Sequence, residues 1–325
     1  MKYRILFLLS LCFTAGRAQE SRFSELWKNI TLAPAQEKPV ATDTMVVMGT
    51  TRLLKSPPYF FDHENVVDNE VQILLAVCKH ERWRIYVMEN LKAAADFLPA
   101  NLPWVMYVEG VGKNFPLGMY RAAGMATQYK VNVLFFDYPT LNENLGRIRN
   151  YYFARNNAKL SAHALHQYIS NFNQYTATNS IITRAHKTLF IHSMGAQLFK
   201  TMTQQNFYAL SKVTMFDRLI LNASCVPRRS HNQWLDSVKM AKAIMVNYNR
   251  KDWHLKGARL ITGKIMLGTK PKSRSKQAQY VNLVSVLGKK HNGFLNKPGE
   301  ITIPLYMQTY FEALFYGRAW RFPEK

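Results

Sequence analysis

The chain has 325 residues, of which 48% are hydrophobic and 13% aromatic, enough to bury a sizeable core. This composition excludes an intrinsically disordered chain, because such chains are poor in apolar residues. Lys and Arg number 43 against 20 Asp and Glu, which gives a formal net charge of +23 and favours anionic partners such as lipid headgroups or acidic glycans. No nucleic-acid-binding motif accompanies this charge, so we do not expect a nucleic-acid partner.

The first 18 residues have the pattern of a secretory signal peptide. Lys2 and Arg4 precede an apolar run at 5–13, and small residues lead to a cleavage site after Ala18. No other apolar run approaches the roughly 20 residues that cross a membrane as a helix. We therefore expect an exported protein, periplasmic or secreted in a bacterium, without a stable membrane span.

The three cysteines bear on anchoring and on disulfide formation. Lipoprotein anchoring through Cys12 is disfavoured, because Leu11 stands where a small residue would precede an acylated cysteine. Export would leave Cys78 and Cys225 in an oxidising compartment, where disulfides form. Their positions in the sequence do not decide whether they pair.

Beyond a polar lead-in at 19–44, short apolar runs alternate with amphipathic segments. The apolar runs predict strands at 45–50, 71–77, 82–88, 103–110, 131–139, 187–193, 216–224, 243–249 and 281–288. The amphipathic segments predict helices at 117–129, 145–157, 159–172, 194–205, 232–241, around 255–267 and at 304–317. Apolar strands separated by crossover helices indicate an α/β fold, a mostly parallel sheet covered on both faces. We expect one domain over 45–325.

Chemistry in an open parallel sheet gathers where the strands end. Ser193 ends an apolar run within the stretch LFIHSMGAQL, and Gly195 supplies a small residue where the next helix must pack against the strand. A serine at this point is also a common helix cap. Asp252 and His291 follow the later strands at 243–249 and 281–288, at the same offset. The order serine, acid, histidine predicts a nucleophile, an orienting acid and a base.

Other polar residues compete for these roles. Asp137 comes at the end of the apolar strand residues 131–136 and is the rival acid, although a structural role is favoured. His192 precedes the serine and is expected to point to the opposite side of its strand. The remaining candidate ligands lack Cys or carboxylate partners at metal-binding spacing, so we expect no metal site. These residues are His163, His166, His231 and His254.

Seven stretches carry a resemblance to a known superfamily. They are MGTTR (48–52), YVEG (107–110), FPLGMYRAAGMA (115–126), VLFFDYPT (133–140), YYFARNNAKLSAHAL (151–165), IHSMGAQL (191–198) and NYNRKD (247–252). On these stretches the chain resembles the alpha/beta-hydrolase superfamily over roughly 45–295, within it a poorly characterised group of exported bacterial hydrolases.

The resemblance implies an alpha/beta-hydrolase fold, a serine mechanism and no cofactor. It implies that Ser193 is the nucleophile, Asp252 the acid and His291 the base. It also implies that the backbone amides of Met194 and Val111 stabilise the oxyanion.

Two residues depart from the superfamily pattern. Glu109 replaces the histidine that commonly precedes the glycine at Gly110, and its charge would oppose an oxyanion unless it points away or pairs with a neighbour such as Lys113. Ile191 replaces the small residue usual two positions before Ser193.

Basic residues follow several strand ends and are expected to surround the entrance to the site. They are Lys113, Arg228, Arg229, Arg250, Lys251, Lys289 and Lys290. The basic run at 270–276 precedes a strand and is expected at the opposite edge.

The function expected from these patterns is an exported serine hydrolase that cleaves an acyl bond, with an ester favoured. The substrate would be a small-molecule, lipid or glycan ester, and an anionic one is a hypothesis that the basic residues raise. The alternative is a catalytically inactive hydrolase-fold protein that binds an anionic envelope component or a protein partner. The oligomeric state stays open.

Overall fold

The computed structural model describes residues 26–42, 44–55, 61–65, 70–205, 213–297 and 300–320. The predicted signal peptide at 1–18 and the start of the lead-in lie outside the described residues. No helix within the described ranges is long and apolar enough to cross a membrane.

Ten strands of the described residues form one sheet. They are β1 (Ile30–Leu32), β2 (Thr44–Thr50), β5 (Gln72–Lys79), β6 (Arg82–Met88), β7 (Trp104–Val108), β8 (Asn132–Asp137), β9 (Lys187–His192), β10 (Phe216–Asn222), β11 (Ala241–Tyr248) and β12 (Ala278–Asn282). Between β2 and β6 in the chain, β3 (Arg52–Leu54) and β4 (Phe61–Asn65) form a separate antiparallel pair.

The spatial order of the large sheet is β1-β6-β5-β2-β8-β7-β9-β10-β11-β12. Every neighbouring pair from β2 through β12 is parallel, whereas β5 runs antiparallel to both β2 and β6. The predicted α/β class with a mostly parallel sheet is therefore confirmed.

Helices cover this sheet. They are α1 (Leu91–Ala95), α2 (Phe115–Tyr129), α3 (Arg147–Leu160), α4 (Ala162–Ala177), α5 (Ser180–Arg184), α6 (Gly195–Gln204), α7 (His231–Leu235), α8 (Trp253–Thr262), α9 (Val284–Leu287) and α10 (Leu305–Phe315). One apolar cluster joins the sheet to α3, α4 and α6, and a second joins its other face to α2 and α10.

Because both faces are covered, the central strands β7, β8 and β9 are buried along nearly their whole length. In β9, Leu189 and Ile191 belong to the first cluster and Phe190 to the second. Successive residues of a strand point to opposite faces, so this alternation places apolar side chains on both sides. The polar residues of the site are thereby confined to the strand ends.

The lead-in contributes an edge strand that the sequence did not predict. Ile30 pairs with Trp83 in a parallel register, which adds β1 beside β6. Trp27 stacks on Phe115 of α2, with ring centroids 5.9 Å apart. These contacts tie the lead-in to the rest of the fold.

Three predicted boundaries are wrong. The strand at 281–288 ends at Asn282, and its second half forms α9, because an apolar run this short does not separate strand from helix. The helix predicted at 232–241 ends at Leu235, because Ala241 already begins β11. The segment around 255–267 ends its helix at Gly263, which has a φ of 68° and caps α8.

Cys78 and Cys225 are both free thiols. Cys225 belongs to the first apolar cluster, whereas Cys78 packs against the second, on the other face of the sheet. The sheet therefore separates the two sulfur atoms, and the question that the sequence left open is answered: they do not form a disulfide.

Candidate active site

Ser193 directly follows β9 in a strained turn. Its φ of 52° lies in the left-handed region, which non-glycine residues rarely adopt. Two residues later α6 begins at Gly195, where a Cβ atom would lie 3.0 Å from the carbonyl oxygens of Val108 and Glu109. The helix can start here only with a small residue, which is the geometry that lifts a serine oxygen above the strand ends.

Three side chains from separate segments form one hydrogen-bonded chain. Asp252 Oδ2 lies 2.6 Å from His291 Nδ1, and His291 Nε2 lies 3.0 Å from Ser193 Oγ. With the Nδ1 proton donated to the carboxylate, Nε2 can accept the serine proton. Asp252 is fully buried and His291 partly exposed. The structure thus brings together the three residues predicted as nucleophile, acid and base.

Two backbone amides next to the serine are available as donors. Within the described part of the chain, neither the Met194 amide nor the Val111 amide has a hydrogen-bond acceptor. Gly110 packs against the serine, since a Cβ atom there would lie 3.1 Å from both Ser193 Oγ and the Met194 nitrogen. Amides held this way can stabilise negative charge that develops on a bound carbonyl oxygen.

Glu109 lies in a buried cluster beneath this turn. Its carboxylate accepts hydrogen bonds from the Tyr107 hydroxyl and the Arg121 guanidinium, and a third, of 2.7 Å, from the Gly110 amide. Arg121 comes from α2, so the ion pair joins the turn to that helix. The carboxylate is fully engaged and supports the turn from below.

The charge of Glu109 is balanced locally. Burial alone would raise the pKa of its carboxyl, but the charges of Arg121 and Lys113 and the hydrogen bond from the Gly110 amide outweigh burial and hold the pKa below its ordinary value. The partner suggested from the sequence, Lys113, instead donates to the Val111 carbonyl at 3.0 Å. Glu109 therefore stays ionised, and Arg121 is the residue that pairs with it.

Ile191 is accommodated by the core. It is fully buried between Val108 of β7 and Leu221 of β10, which flank it in the sheet. Its side chain joins the apolar cluster that packs α6, and the turn at Ser193 keeps its geometry. The replacement of the usual small residue by Ile191 therefore does not prevent the strained turn.

A buried polar chain crosses three strand ends beneath His291. The Tyr310 hydroxyl donates to Asn247 at 2.7 Å, Asn247 donates to Asn222 at 3.2 Å, and Asn222 lies 3.2 Å from His192 Nδ1. The His192 ring centroid is 4.8 Å from that of His291. Burial is the main cause that lowers the pKa of His192, which keeps the ring neutral. The sequence pattern placed His192 on the far side of its strand and did not reveal this contact.

The rival acid Asp137 serves another cluster. It pairs with the buried Arg52 at 2.8 Å and accepts a 2.8 Å hydrogen bond from the Thr50 hydroxyl. Arg52 also donates to the Lys113 carbonyl at 3.1 Å, and so braces the loop that follows Val111. Asp137 holds this arginine and is not bonded to His291.

His254, which appeared isolated in the sequence, lies beside His291 with ring centroids 4.8 Å apart. Together with Asp252 the two rings form the one group in the described ranges that has the geometry to hold a metal ion. Both nitrogens of His291 already face hydrogen-bond partners. A metal ion at this group would have to displace one of them.

The basic residues near His291 are held by neighbouring groups. Lys290 donates to the Thr302 carbonyl at 2.9 Å. The Lys289 ammonium lies over the exposed Trp253 ring, 5.2 Å from its centroid. These contacts direct both cations toward nearby protein groups.

The basic residues after β10 lie against a segment expected elsewhere. Arg228 lies 3.4 Å from the Lys270 carbonyl, to which it donates, and Arg229 is exposed. The run at 270–276 therefore begins at the same edge as Ser193, and the prediction that it lies at the opposite edge is wrong for Lys270. The reason is that the chain returns from α8 to the end of β10 before it enters β12.

More than half of the chain matches the model of a known protein family. A family model described as an alpha/beta hydrolase of unknown function (DUF900) matches residues 100–298, which include Ser193, Asp252 and His291. No curated protein matches the chain. Because the match covers more than half of the 325 residues, the protein belongs to this family of alpha/beta hydrolases.

Proposed function

We propose that the protein is a serine hydrolase that cleaves an acyl ester through Ser193, His291 and Asp252. The observation that carries the proposal is the continuous hydrogen-bonded chain of 2.6 Å and 3.0 Å that ends on a serine with a φ of 52°. A serine that merely capped a helix would need neither the buried acid nor the positive φ. The acid and base in this chain would raise the nucleophilicity of the serine oxygen.

In the proposed reaction, His291 Nε2 takes the proton of Ser193 while Oγ forms a bond to the acyl carbon. The oxyanion is stabilised by the amides of Met194 and Val111, each worth on the order of 3 kcal/mol in the barrier. His291 returns the proton to the departing alcohol oxygen as the ester bond breaks. Water then attacks the acyl-enzyme, again with His291 as base, and releases the acid. Ester cleavage is favoured over amide cleavage because an alcohol is the easier leaving group.

A neutral fluorophosphonate probe tests the proposal. It forms a covalent bond with an activated serine oxygen and releases fluoride, so wild-type protein should be labelled. Ser193→Ala should abolish labelling, and Ser180→Ala, which changes an exposed serine at the start of α5, should not. Ester hydrolysis should follow the same pattern.

The competing proposal is a catalytically inactive protein that binds an anionic envelope component or a protein partner. Its support in the sequence is Glu109 and Ile191. Against it stand the pairing of the Glu109 carboxylate with Arg121 and the strained turn at Ser193, which forms although Ile191 is present. A folded wild-type protein that neither labels nor hydrolyses esters would favour this alternative and contradict ours.

We also propose that the protein is exported, on the basis of the pattern in its first 18 residues. Amino-terminal sequencing of protein recovered from the periplasm or medium should begin at Gln19. Protein that keeps Met1 and remains with the cytoplasmic fraction would contradict export.

A further inference from the structure

A cleft of about 130 Å³ is lined by residues of the two segments that adjoin Ser193 in the fold. Two of its lining residues lie close to the serine. The Cys225 amide donates to the Ser193 carbonyl at 2.8 Å, and Gln197 lies on α6, which begins two residues after the serine. The remaining walls come from α3 and from the end of α8. The residues that line the cleft include Tyr151, Tyr152, Arg155, Gln197, Cys225 and Lys264.

The cleft is strongly cationic. Arg155 and Lys264 line it, and Lys200 lies close enough to interact electrostatically with both of them and with Lys159. Among the described residues, no carboxylate forms an ion pair with any of these four. Burial is the largest cause that lowers the pKa of Lys200, and repulsion from Arg155, Lys264 and Lys159 lowers it further. The positive charges are thus crowded without local compensation.

The walls of the cleft are suited to an oxygen-rich anion. Arg155 is half-buried, and a guanidinium can bind a carboxylate or phosphate through two parallel hydrogen bonds. The Tyr152 hydroxyl donates to the Ile261 carbonyl at 3.3 Å, which ties α3 to α8 across the cleft. Cys225 and Tyr151, which line the cleft, are both buried, with the Tyr151 hydroxyl 3.8 Å from the Cys225 sulfur. Charge interactions are stronger next to buried groups than in water.

We propose that this cleft is an anion subsite that holds a carboxylate or phosphoryl group of the substrate, with the ester carbonyl at Ser193. The placement of the ester carbonyl at Ser193 rests on the proposed function, whereas the binding of an anion in the cleft does not. It differs from the entrance predicted from the sequence, where three of the seven cations, Lys113, Lys289 and Lys290, are engaged by protein groups. The substrate class is therefore an acyl ester with an anionic group on one side of the scissile bond.

The kinetic test uses two p-nitrophenyl esters of similar length, a neutral butyrate and a hemisuccinate with a terminal carboxylate. The Arg155→Gln/Lys264→Gln protein should show a ratio of kcat/KM, hemisuccinate over butyrate, at least tenfold below that of wild type. The control is Lys79→Gln/Arg82→Gln, which removes two exposed charges at the opposite edge of the sheet and should leave the ratio unchanged. An equal loss on both esters, or the same shift in the control, would overturn the subsite.

A binding test separates the subsite from the chemistry. Ser193→Ala protein is titrated calorimetrically with succinate and with inorganic phosphate, and the arm with the tighter dissociation constant identifies the preferred anion. Adding Arg155→Gln/Lys264→Gln should weaken that binding at least tenfold. If the wild-type protein were not labelled by the fluorophosphonate, the proposed function would be wrong, but anion binding in the cleft would still stand. If neither succinate nor phosphate bound while the wild-type protein was labelled, the anion subsite would be wrong and the proposed function would stand.

Discussion

Gly110 shows how closely single residues are constrained around the serine. A Cβ atom at this position would lie 2.6 Å from the Ser193 Cβ and 3.1 Å from its Oγ. Contacts that short do not occur unless one of the two segments, at Gly110 or at Ser193, is displaced. The glycine is therefore required by its close approach to Ser193.

We expect Gly110→Ala to lower kcat by about 10²- to 10³-fold, the effect of losing one oxyanion donor, because the turn that carries the Val111 amide must shift. Steady-state ester hydrolysis measures this. The matched control is Gly124→Ala within α2, where a Cβ atom meets nothing within 4 Å and a gain in helix propensity is expected. Equal kcat values for the two variants would contradict the prediction.

Glu109 illustrates a charge that a local pattern cannot assign. Its effect on the site depends on Arg121, which reaches it from α2. Both side chains are largely buried, so removal of one leaves the other uncompensated.

Glu109→Gln should therefore lower the free energy of unfolding by about 3–5 kcal/mol, measured by urea denaturation. Glu300→Gln, which removes the carboxylate of an exposed pair with Lys297, should have little measurable effect. A Glu109 variant as stable as the Glu300 variant would show that the buried pair contributes nothing to stability.

At the level of elements, α8 begins on a residue of the candidate triad. Asp252 is its N-cap: Oδ1 accepts a 3.1 Å hydrogen bond from the Leu255 amide, and Oδ2 faces His291. One carboxylate thus caps a helix and is hydrogen-bonded to the candidate base. The helix in turn holds the carboxylate in place.

These two roles can be separated by substitution. Asp252→Asn keeps a good cap but favours the wrong tautomer of His291, so kcat should fall on the order of 10⁴-fold. Asp252→Ala should in addition lose about 1 kcal/mol of unfolding free energy relative to Asn. Ester hydrolysis and urea denaturation measure the two effects.

Asn90→Ala removes the cap of α1 and serves as the control, with a loss of stability of about 1 kcal/mol and kcat unchanged. If Asp252→Asn kept wild-type kcat, its assignment as the orienting acid would be wrong.

At the level of the whole molecule, histidine burial links stability to pH. Among the residues that the structure describes, five histidines have a lowered pKa, with burial the largest cause for each. They are His166, His186, His192, His231 and His254. Below the unfolded pKa of about 6.5, the unfolded chain binds protons that the folded chain does not, so stability is lost as pH falls.

We expect the free energy of unfolding to fall by about 1 kcal/mol or more between pH 7.5 and pH 5.5, measured by urea denaturation at each pH. Asp137, whose pKa burial raises, acts in the opposite direction, but nearer the ordinary pKa of a carboxyl. His231→Gln should reduce the pH dependence, because it removes a titrating ring held between the Arg228 carbonyl and the Tyr280 hydroxyl. Stability that is constant or rises on acidification would contradict the prediction.

Much of the fold could be predicted because its strands are covered on both faces. The apolar run of β9 and the amphipathic segment of α6 each carry their own period, and their alternation indicates the parallel sheet. The prediction failed at 281–288, where a short apolar run at the sheet edge passes from β12 into α9. Hydrophobicity alone is the same for both halves of that run.

The sequence by itself determined the α/β class and brought forward Ser193, Asp252 and His291, because strand periodicity and the order of strand ends are local signals. Only the tertiary structure decided that Glu109 pairs with Arg121, and that Arg155 and Lys264 meet at one cleft. Each of these contacts joins segments that are distant in the chain and are brought together by the packing of α2, α3 and α8 around the sheet. A local sequence pattern does not determine which distant side chain will pair with a buried charge, or which charges will remain without an opposite charge nearby.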